Sequence, residues 1–151
     1  MATMSTTPTA TSLSISSTTS VSGTISWTCP TIPEGCTITS CVLTGTPTFS
    51  MKKGSATVTV NGTTVTSGTQ FTINLGTANT TKSVSTTGKG NNKNASGTVT
   101  FTSLSYVVTY EEPKTMMSNV FNGSINITDI RVGNEKIIKI YIDNIVIYEN
   151  L

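Results

Sequence analysis

The chain has 151 residues, which is enough for one ordinary domain with its own core and a small additional segment. Only 11% of the residues are charged and the net charge is +2, too small to favour a nucleic-acid partner. No apolar run reaches the length of a membrane span, so we also expect no membrane partner. Ser and Thr supply about a third of the chain, and because Thr suits half-exposed strands, the composition favours a β protein.

The N-terminal residues 1–12 are rich in Ser, Thr, Ala and Pro, and we predict that they form an extended arm. They lack the positive start and apolar stretch of a secretory signal, so we expect a protein that is made and used without Sec export. Strands are predicted at Leu13–Ile15 and over 21–27, where Val21, Ile25 and Trp27 alternate with polar residues.

The three cysteines, Cys29, Cys36 and Cys41, fall around a turn that the prolines and glycine of 30–35 predict. A Cys29–Cys36 or Cys29–Cys41 disulfide is possible from the spacing, but an odd number is unusual for a disulfide framework. Zinc is a poor alternative, because the chain contains no histidine. We expect reduced, partly buried thiols, in keeping with a reducing cytosol.

A further strand is predicted over 37–43, and Gly45, Pro47 and Gly54 then predict a loop or irregular edge over 45–55. The clearest local signal follows, where two alternating runs flank Asn61-Gly62, the preferred two-residue hairpin turn. That turn predicts that Val60 pairs with Thr63, Thr59 with Thr64 and Val58 with Val65. Because one face of this hairpin is apolar, it requires a second layer to cover it.

The rest of the first 112 residues continues with short strand signals and polar breaks. Alternation predicts strands over 71–75, 99–101 and 104–110, a weak strand at Val84, and a polar turn or loop over 88–97. About eight closely spaced strands predict an all-β fold, an antiparallel β-sandwich of jelly-roll or Ig-like type, over residues 13–112. The residues predicted to form its core are Ile25, Trp27, Val58, Val60, Phe71, Ile73, Val99, Phe101 and Val108.

The character of the chain changes at Pro113. Residues 1–110 have five lysines against Glu34, whereas residues 111–151 have six acidic residues against four basic ones. We interpret 113–124 as a linker and 125–151 as a tandem β-hairpin assembly region, in which 130–134 and 140–144 repeat one pattern. Two such hairpins cannot bury their own apolar side chains, so we expect this region to form an interface and the sandwich to project outward. The candidate interface residues are Ile130, Val132, Ile137, Ile140, Ile142 and Ile147.

Residues for catalysis are scarce. Without histidine there is no Ser-His-Asp or Cys-His site, and Glu111 and Glu112 are adjacent rather than placed across a cleft. We therefore predict that the protein is not an enzyme and needs no metal or cofactor. Trp27 and Tyr106 form a candidate platform for stacking a sugar, although the alternation of Trp27 with Ile25 favours a place in the core.

Several segments together resemble a known module. Residues 58–68, 71–76, 89–101 and 107–112 resemble a β-sandwich module of virion structural proteins from tailed bacteriophages of Gram-positive bacteria. The hairpins of 125–149 resemble the short C-terminal repeats of such proteins. The resemblance implies a virion component assembled in the bacterial cytoplasm: a capsid decoration or head-fibre protein, or a minor tail protein. Its implied partners are other virion proteins and further copies of the chain.

Two other functions remain open from the sequence. One is a carbohydrate-binding, lectin-like module that recognises a host surface glycan, with Trp27 and Tyr106 as the contacts. The other is a secreted bacterial adhesin, which needs an export signal. Specific sugar binding that is lost on substitution of Trp27 or Tyr106 would distinguish the lectin from the virion protein.

Overall fold

The computed structural model describes residues 1–112 in full, and after them the backbone of 131–132, 135–136, 139–142 and 145–149. The chain divides into two compact units, Met1–Glu112 (unit 1) and Pro113–Leu151 (unit 2). The described residues contain no helix, and unit 1 is two antiparallel sheets packed together, which confirms the predicted all-β sandwich.

Unit 1 has ten strands. The strand bounds are β1 Ala2–Thr6, β2 Thr9–Ala10, β3 Leu13–Ser16, β4 Val21–Ser26, β5 Thr37–Lys53, β6 Ala56–Val60, β7 Thr63–Val65, β8 Phe71–Asn74, β9 Ser83–Gly90 and β10 Ser96–Glu111. The first sheet has the order β1-β10-β5-β8, with β3 also paired to β10, and the second has the order β2-β4-β9-β6-β7.

The prediction of an extended arm over 1–12 is wrong. Strand β1 pairs with the end of β10, from Ala2 opposite Tyr110 to Thr6 opposite Tyr106. The chain then crosses to the second sheet as β2, and returns to pair β3 with the start of β10. Ser and Thr suit this role because a strand at a sheet edge keeps one side in water.

Two further sequence predictions are corrected by the length of the strands. The loop expected over 45–55 is the second half of β5, where Gly45 makes room for the side chains of Leu104 and Phe71 and a Cβ would overlap both. The polar loop expected over 88–97 begins only at Asn91, because β9 continues through the buried Gly88 and Gly90. The weak strand at Val84 belongs to this same eight-residue strand, which lies inside the second sheet.

The predicted hairpin is confirmed residue by residue. Val58 pairs with Val65, Thr59 with Thr64 and Val60 with Thr63. Asn61 and Gly62 take φ values of 49° and 78°, as a two-residue turn of this type requires. The three valines are buried, whereas Thr59 and Thr64 lie on the opposite, outward face, so the alternation of the sequence sets the inner and outer faces of the sheet.

The core lies between the sheets and includes eight of the nine predicted residues as buried side chains; Phe101 is half-buried at its edge. A β-bulge explains how β10 presents both Val99 and Tyr106 inward, although they are an odd number of residues apart. The register slips by one residue between Thr102 and Ser105, where Ser103 has a φ of 50°. The extra residue reverses the alternation, so that Tyr106 and Val108 face the core.

Thr86 on β9 is the exception within this core. It is fully buried, and its hydroxyl has no hydrogen-bond partner among the described residues. We expect Thr86→Val to raise the free energy of unfolding by about 1 kcal/mol, because it removes an unpaired polar atom with little change in shape. Thr87→Val on the exposed side of the same strand is the control and should have an effect below about 0.5 kcal/mol. Urea unfolding of both variants measures this, and a destabilised Thr86→Val would show that the hydroxyl has a partner.

In unit 2, the described backbone forms two antiparallel hairpins. Strand β11, Arg131–Val132, pairs with β12, Glu135–Lys136; strand β13, Lys139–Ile142, pairs with β14, Ile145–Glu149. Each pair is separated by two residues, which agrees with the tandem hairpins predicted from the sequence repeat.

Candidate functional site

Groups that could perform acid–base or metal chemistry do not converge in unit 1. The described residues contain no group of three or more His, Cys, Asp or Glu side chains that could hold a metal ion. The acidic side chains within residues 1–112 are Glu34, Glu111 and Glu112, and all three are exposed. The absence of enzymatic activity and of a metal requirement remains a prediction.

The proposed sugar platform of Trp27 and Tyr106 is not open to a ligand. The two rings stack on each other, with centroids 4.8 Å apart and an interplanar angle of 27°. Trp27 is 8% exposed and Tyr106 is fully buried. A sugar needs an open ring face, so the structure assigns both residues to the core and corrects their interpretation as glycan contacts.

The hydroxyl of Tyr106 links three parts of unit 1. It donates a hydrogen bond to Oδ1 of Asn79 at 2.9 Å, and Nδ2 of Asn79 donates to the carbonyl of Pro30 at 2.7 Å. Burial, and after it the contact with the thiol of Cys41, raises the pKa of Tyr106 well above its ordinary value. The indole N–H of Trp27 is close enough to lower this pKa in part, but it is buried without an aligned acceptor. The Tyr106 hydroxyl therefore has a structural role, holding Asn79 in place, and remains protonated at neutral pH.

The three cysteines are free thiols. Cys41 is buried beside Tyr106, whereas Cys29 is half-buried and donates a weak hydrogen bond to the carbonyl of Thr81 at 3.3 Å. Cys36 follows a turn closed by its N–H and the carbonyl of Pro33. Cys41 is therefore part of the core and Cys29 packs against it, whereas Cys36 is half-buried outside this cluster.

A shallow groove of about 290 Å³ lies beside Trp27. It is lined by Thr7, Thr9, Ser26, Trp27 and Thr28. Its hydroxyls could bind a small polar ligand, but it contains neither a charged side chain nor an open aromatic face.

Hydroxyl groups cover the outer face of the second sheet. The register places Ser22 beside Thr87, Thr87 beside Thr59 and Thr59 beside Thr64, in one row across four strands. The hydroxyls of Thr59 and Thr87 are hydrogen-bonded at 2.7 Å. This surface keeps the sandwich hydrated without charge, which explains how the chain has so few charged residues.

Three loops meet at one end of unit 1. The N–H of Ser17 donates to the carbonyl of Ala95 at 2.8 Å, and that of Asn91 donates to Ser55 at 2.9 Å. The side chain of Asn91 also accepts from Thr57 at 2.8 Å and donates to Ser55 at 3.0 Å. The connections after β3, β5 and β9 are therefore joined into one ordered surface.

Four lysines surround these loops, and we call them the lysine tip: Lys52, Lys53, Lys89 and Lys93. All four side chains are exposed. Lys52 and Lys53 end β5 in the first sheet, whereas Lys89 and Lys93 come from the end of β9 and the loop after it in the second. Residues 16–20, 51–57 and 88–97 contain no acidic residue.

The opposite end of unit 1 has the acidic groups. Strand β10 runs its sixteen residues from Ser96 beside the lysine tip to Glu111. At about 3.3 Å per residue, the two ends are roughly 50 Å apart. Thr37 pairs with Glu111, so Glu34 also lies toward this second end, as does the remaining lysine, Lys82, just before β9.

The sequence signals the loop at Lys89 to Lys93 but not the lysine tip as a whole. Lys52 and Lys53 are separated from Lys89 by 36 residues or more, and only the antiparallel pairing of the strands brings their ends together. The candidate interface residues of unit 2, from Ile130 to Ile147, lie outside the residues whose side chains the structure describes.

Comparisons with known proteins give no relative from which a function can be transferred. No protein-family model, curated protein or solved structure matches the chain. Among the described residues, no helix is long and apolar enough to cross a membrane.

Proposed function

We propose that the protein is a non-enzymatic structural component of a bacteriophage virion, a capsid decoration or head-fibre protein or a minor tail component. The observation that carries the proposal is that two features occur in one chain. Unit 1 is a hydroxyl-covered sandwich whose described residues contain no converged catalytic groups, and unit 2 contains two short hairpins. The resemblance of both segments to virion proteins supports the same function.

Assembly is assigned to unit 2 on energetic grounds. Burying an Ile or Val side chain contributes about 1.5–3 kcal/mol, and residues 125–147 contain many of them in a very short segment. A hairpin alone does not supply a layer to cover them. We therefore propose that residues 125–151 join copies of the chain to one another or to neighbouring virion subunits.

Truncation tests this assignment. Deleting 114–151 should leave a sandwich with unchanged strand content and a cooperative melt, because unit 1 has its own core. The shortened chain should be monomeric by analytical ultracentrifugation, whereas the full chain forms a defined oligomer. An oligomer of unchanged size after truncation would contradict the role of unit 2.

A matched pair of double variants distinguishes loss of the apolar interface from the effect of deleting the whole segment. The double variant Ile140→Thr, Ile142→Thr should weaken the oligomer. Lys139 and Tyr141 alternate with these residues in sequence, so the double variant Lys139→Thr, Tyr141→Thr should have a smaller effect.

The virion assignment itself is tested by mass spectrometry of gradient-purified particles from a host producing the chain. Its absence from such particles would contradict the virion role even if the oligomer forms.

The lectin alternative loses its main support. Its two proposed contacts are stacked on each other in the core, and apart from Trp27, which is 8% exposed, the groove is lined by threonine and serine.

A further inference from the structure

The charges of unit 1 are gathered at its ends rather than spread over its faces. From the lysine tip we propose a binding surface that the assembly function does not use: a site for a linear polymer of phosphate groups. The charge, the type of cation and the order of the supporting loops each contribute to this assignment.

Among the residues of unit 1, no acidic side chain compensates the charge of the tip. Its four ammonium groups give +4, and the three loops beneath them contain no acidic residue. The acidic residues of unit 1 lie toward the other end, roughly 50 Å away along β10. The Debye length is about 8 Å at physiological ionic strength, so those carboxylates do not offset the potential at the tip. An anionic partner is therefore the one that this surface attracts.

The type of cation at the tip suits a chain of phosphate groups. All five basic side chains of residues 1–112 are lysines, and the one arginine of the chain is Arg131. The arginine guanidinium makes two-pronged contacts with carboxylate and phosphate alike, whereas the lysine ammonium is a point charge that can contact phosphate oxygens from any direction.

The absence of aromatic residues from the loops of the lysine tip argues against a single-stranded nucleic acid as the ligand. Proteins that bind single strands stack bases on aromatic side chains. None of the residues 16–20, 51–57 and 88–97 is aromatic. A polymer that presents phosphates without bases matches the groups at the tip.

The loops that support the lysines are ordered before any ligand arrives. A Cβ on Gly90 would overlap the carbonyl oxygen of Ser17, and one on Gly54 would approach Nδ2 of Asn92 to 2.8 Å, so the loops are closely packed. Asn92 also closes the turn, accepting from the N–H of Asn94 at 3.0 Å. Because the backbone is fixed, binding orders only the lysine side chains, which lowers its entropic cost.

Binding of long-chain inorganic polyphosphate to the full-length protein tests the proposal. With four lysines each neutralising one phosphate, the logarithm of the association constant should fall with the logarithm of salt concentration with a slope of about −3. Affinity should therefore fall roughly 60-fold between about 50 and about 200 mM salt. Isothermal titration calorimetry over this range measures the slope.

Charge-removing variants locate the site. Replacing all four tip lysines by glutamine should abolish the salt dependence, and each single replacement, such as Lys89→Gln, should reduce the magnitude of the slope by about 0.7. Lys82→Gln removes the same charge at the opposite end and should leave binding unchanged. The four Lys→Arg replacements should retain binding, which separates a role for charge from a change in loop structure.

Four results would overturn the proposal. These are no measurable binding of polyphosphate at low salt, an effect of Lys82→Gln equal to that of a tip variant, equal affinity for the carboxylate polymer polygalacturonate, and tighter binding of single-stranded DNA than of polyphosphate. The last would identify a nucleic-acid site instead. All these measurements concern unit 1 surface charge, so they are independent of whether residues 125–151 mediate assembly.

Discussion

Val58→Asp is expected to abolish the folded state of unit 1. Val58 is fully buried on β6, which pairs with β7 on one side and with β9 on the other. A carboxylate there has no cation or donor to meet it, and an uncompensated buried charge costs about 3–5 kcal/mol. The lost valine packing adds to this, against a total stability of about 5–15 kcal/mol for a typical domain. Circular dichroism melting should show no cooperative transition at the wild-type temperature.

Thr64→Asp is the control for this experiment. It adds the same charge to the same hairpin, but Thr64 is exposed on β7 and faces water. We expect a change of about 0.5 kcal/mol or less. If Val58→Asp melts like the wild type, the inner face of the second sheet has been assigned incorrectly.

Tyr106→Ala is expected to be the second most damaging single change, with a loss of about 3–5 kcal/mol. The side chain is the largest fully buried one in unit 1 and stacks on Trp27. Tyr106→Phe keeps the ring and removes only the hydroxyl, leaving Asn79 without its donor. It should cost about 1–2 kcal/mol. Guanidinium unfolding compares the three proteins, and equal losses for Ala and Phe would show that the hydroxyl, not the ring, dominates.

The free energy of unfolding at alkaline pH tests the role of the same hydroxyl independently. The pKa of Tyr106 is raised in the folded state, so the folded protein keeps this proton to a higher pH than the unfolded chain, whose tyrosines titrate near about 10. The associated stability is fully present below about pH 10 and is lost as the pH rises toward the folded-state pKa. Tyr106→Phe should therefore lose less stability than the wild type between about pH 9 and about pH 11.5.

Local patterns in the sequence predicted those parts of the fold that depend on local rules. The Asn61-Gly62 turn determines its own register, and period-two alternation identified Ile25 and Val99 as core residues. The sequence failed where one strand relies on another. Gly45 and Gly88 look like loop residues until Leu104 and Ile15 fill the space above them. Residues 2–6 have only Ala2 and Met4 as apolar residues, too weak a pattern to predict a strand, and it is pairing with β10 that makes them one.

The same distinction applies to the candidate sites. An aromatic pair can be noticed in sequence, but whether Trp27 and Tyr106 face water or each other depends on how the two sheets stack. The lysine tip shows the reverse case. Its members come from two strand ends that are distant in sequence, so only the topology assembles them.

The pairing of β5 with β10 also determines how unit 1 responds to mechanical load. The two strands share fourteen register pairs along almost their full length, and they join the lysine tip to the end where the chain leaves unit 1. A pull between the tip and Glu112 runs parallel to these strands, so the hydrogen bonds across them are loaded together in shear. A pull between Met1 and Glu112 instead separates Ala2 from Tyr110 first and opens the β1–β10 pairs one by one. The sandwich is therefore strong when loaded lengthwise from its tip and weak when its two chain ends are drawn apart.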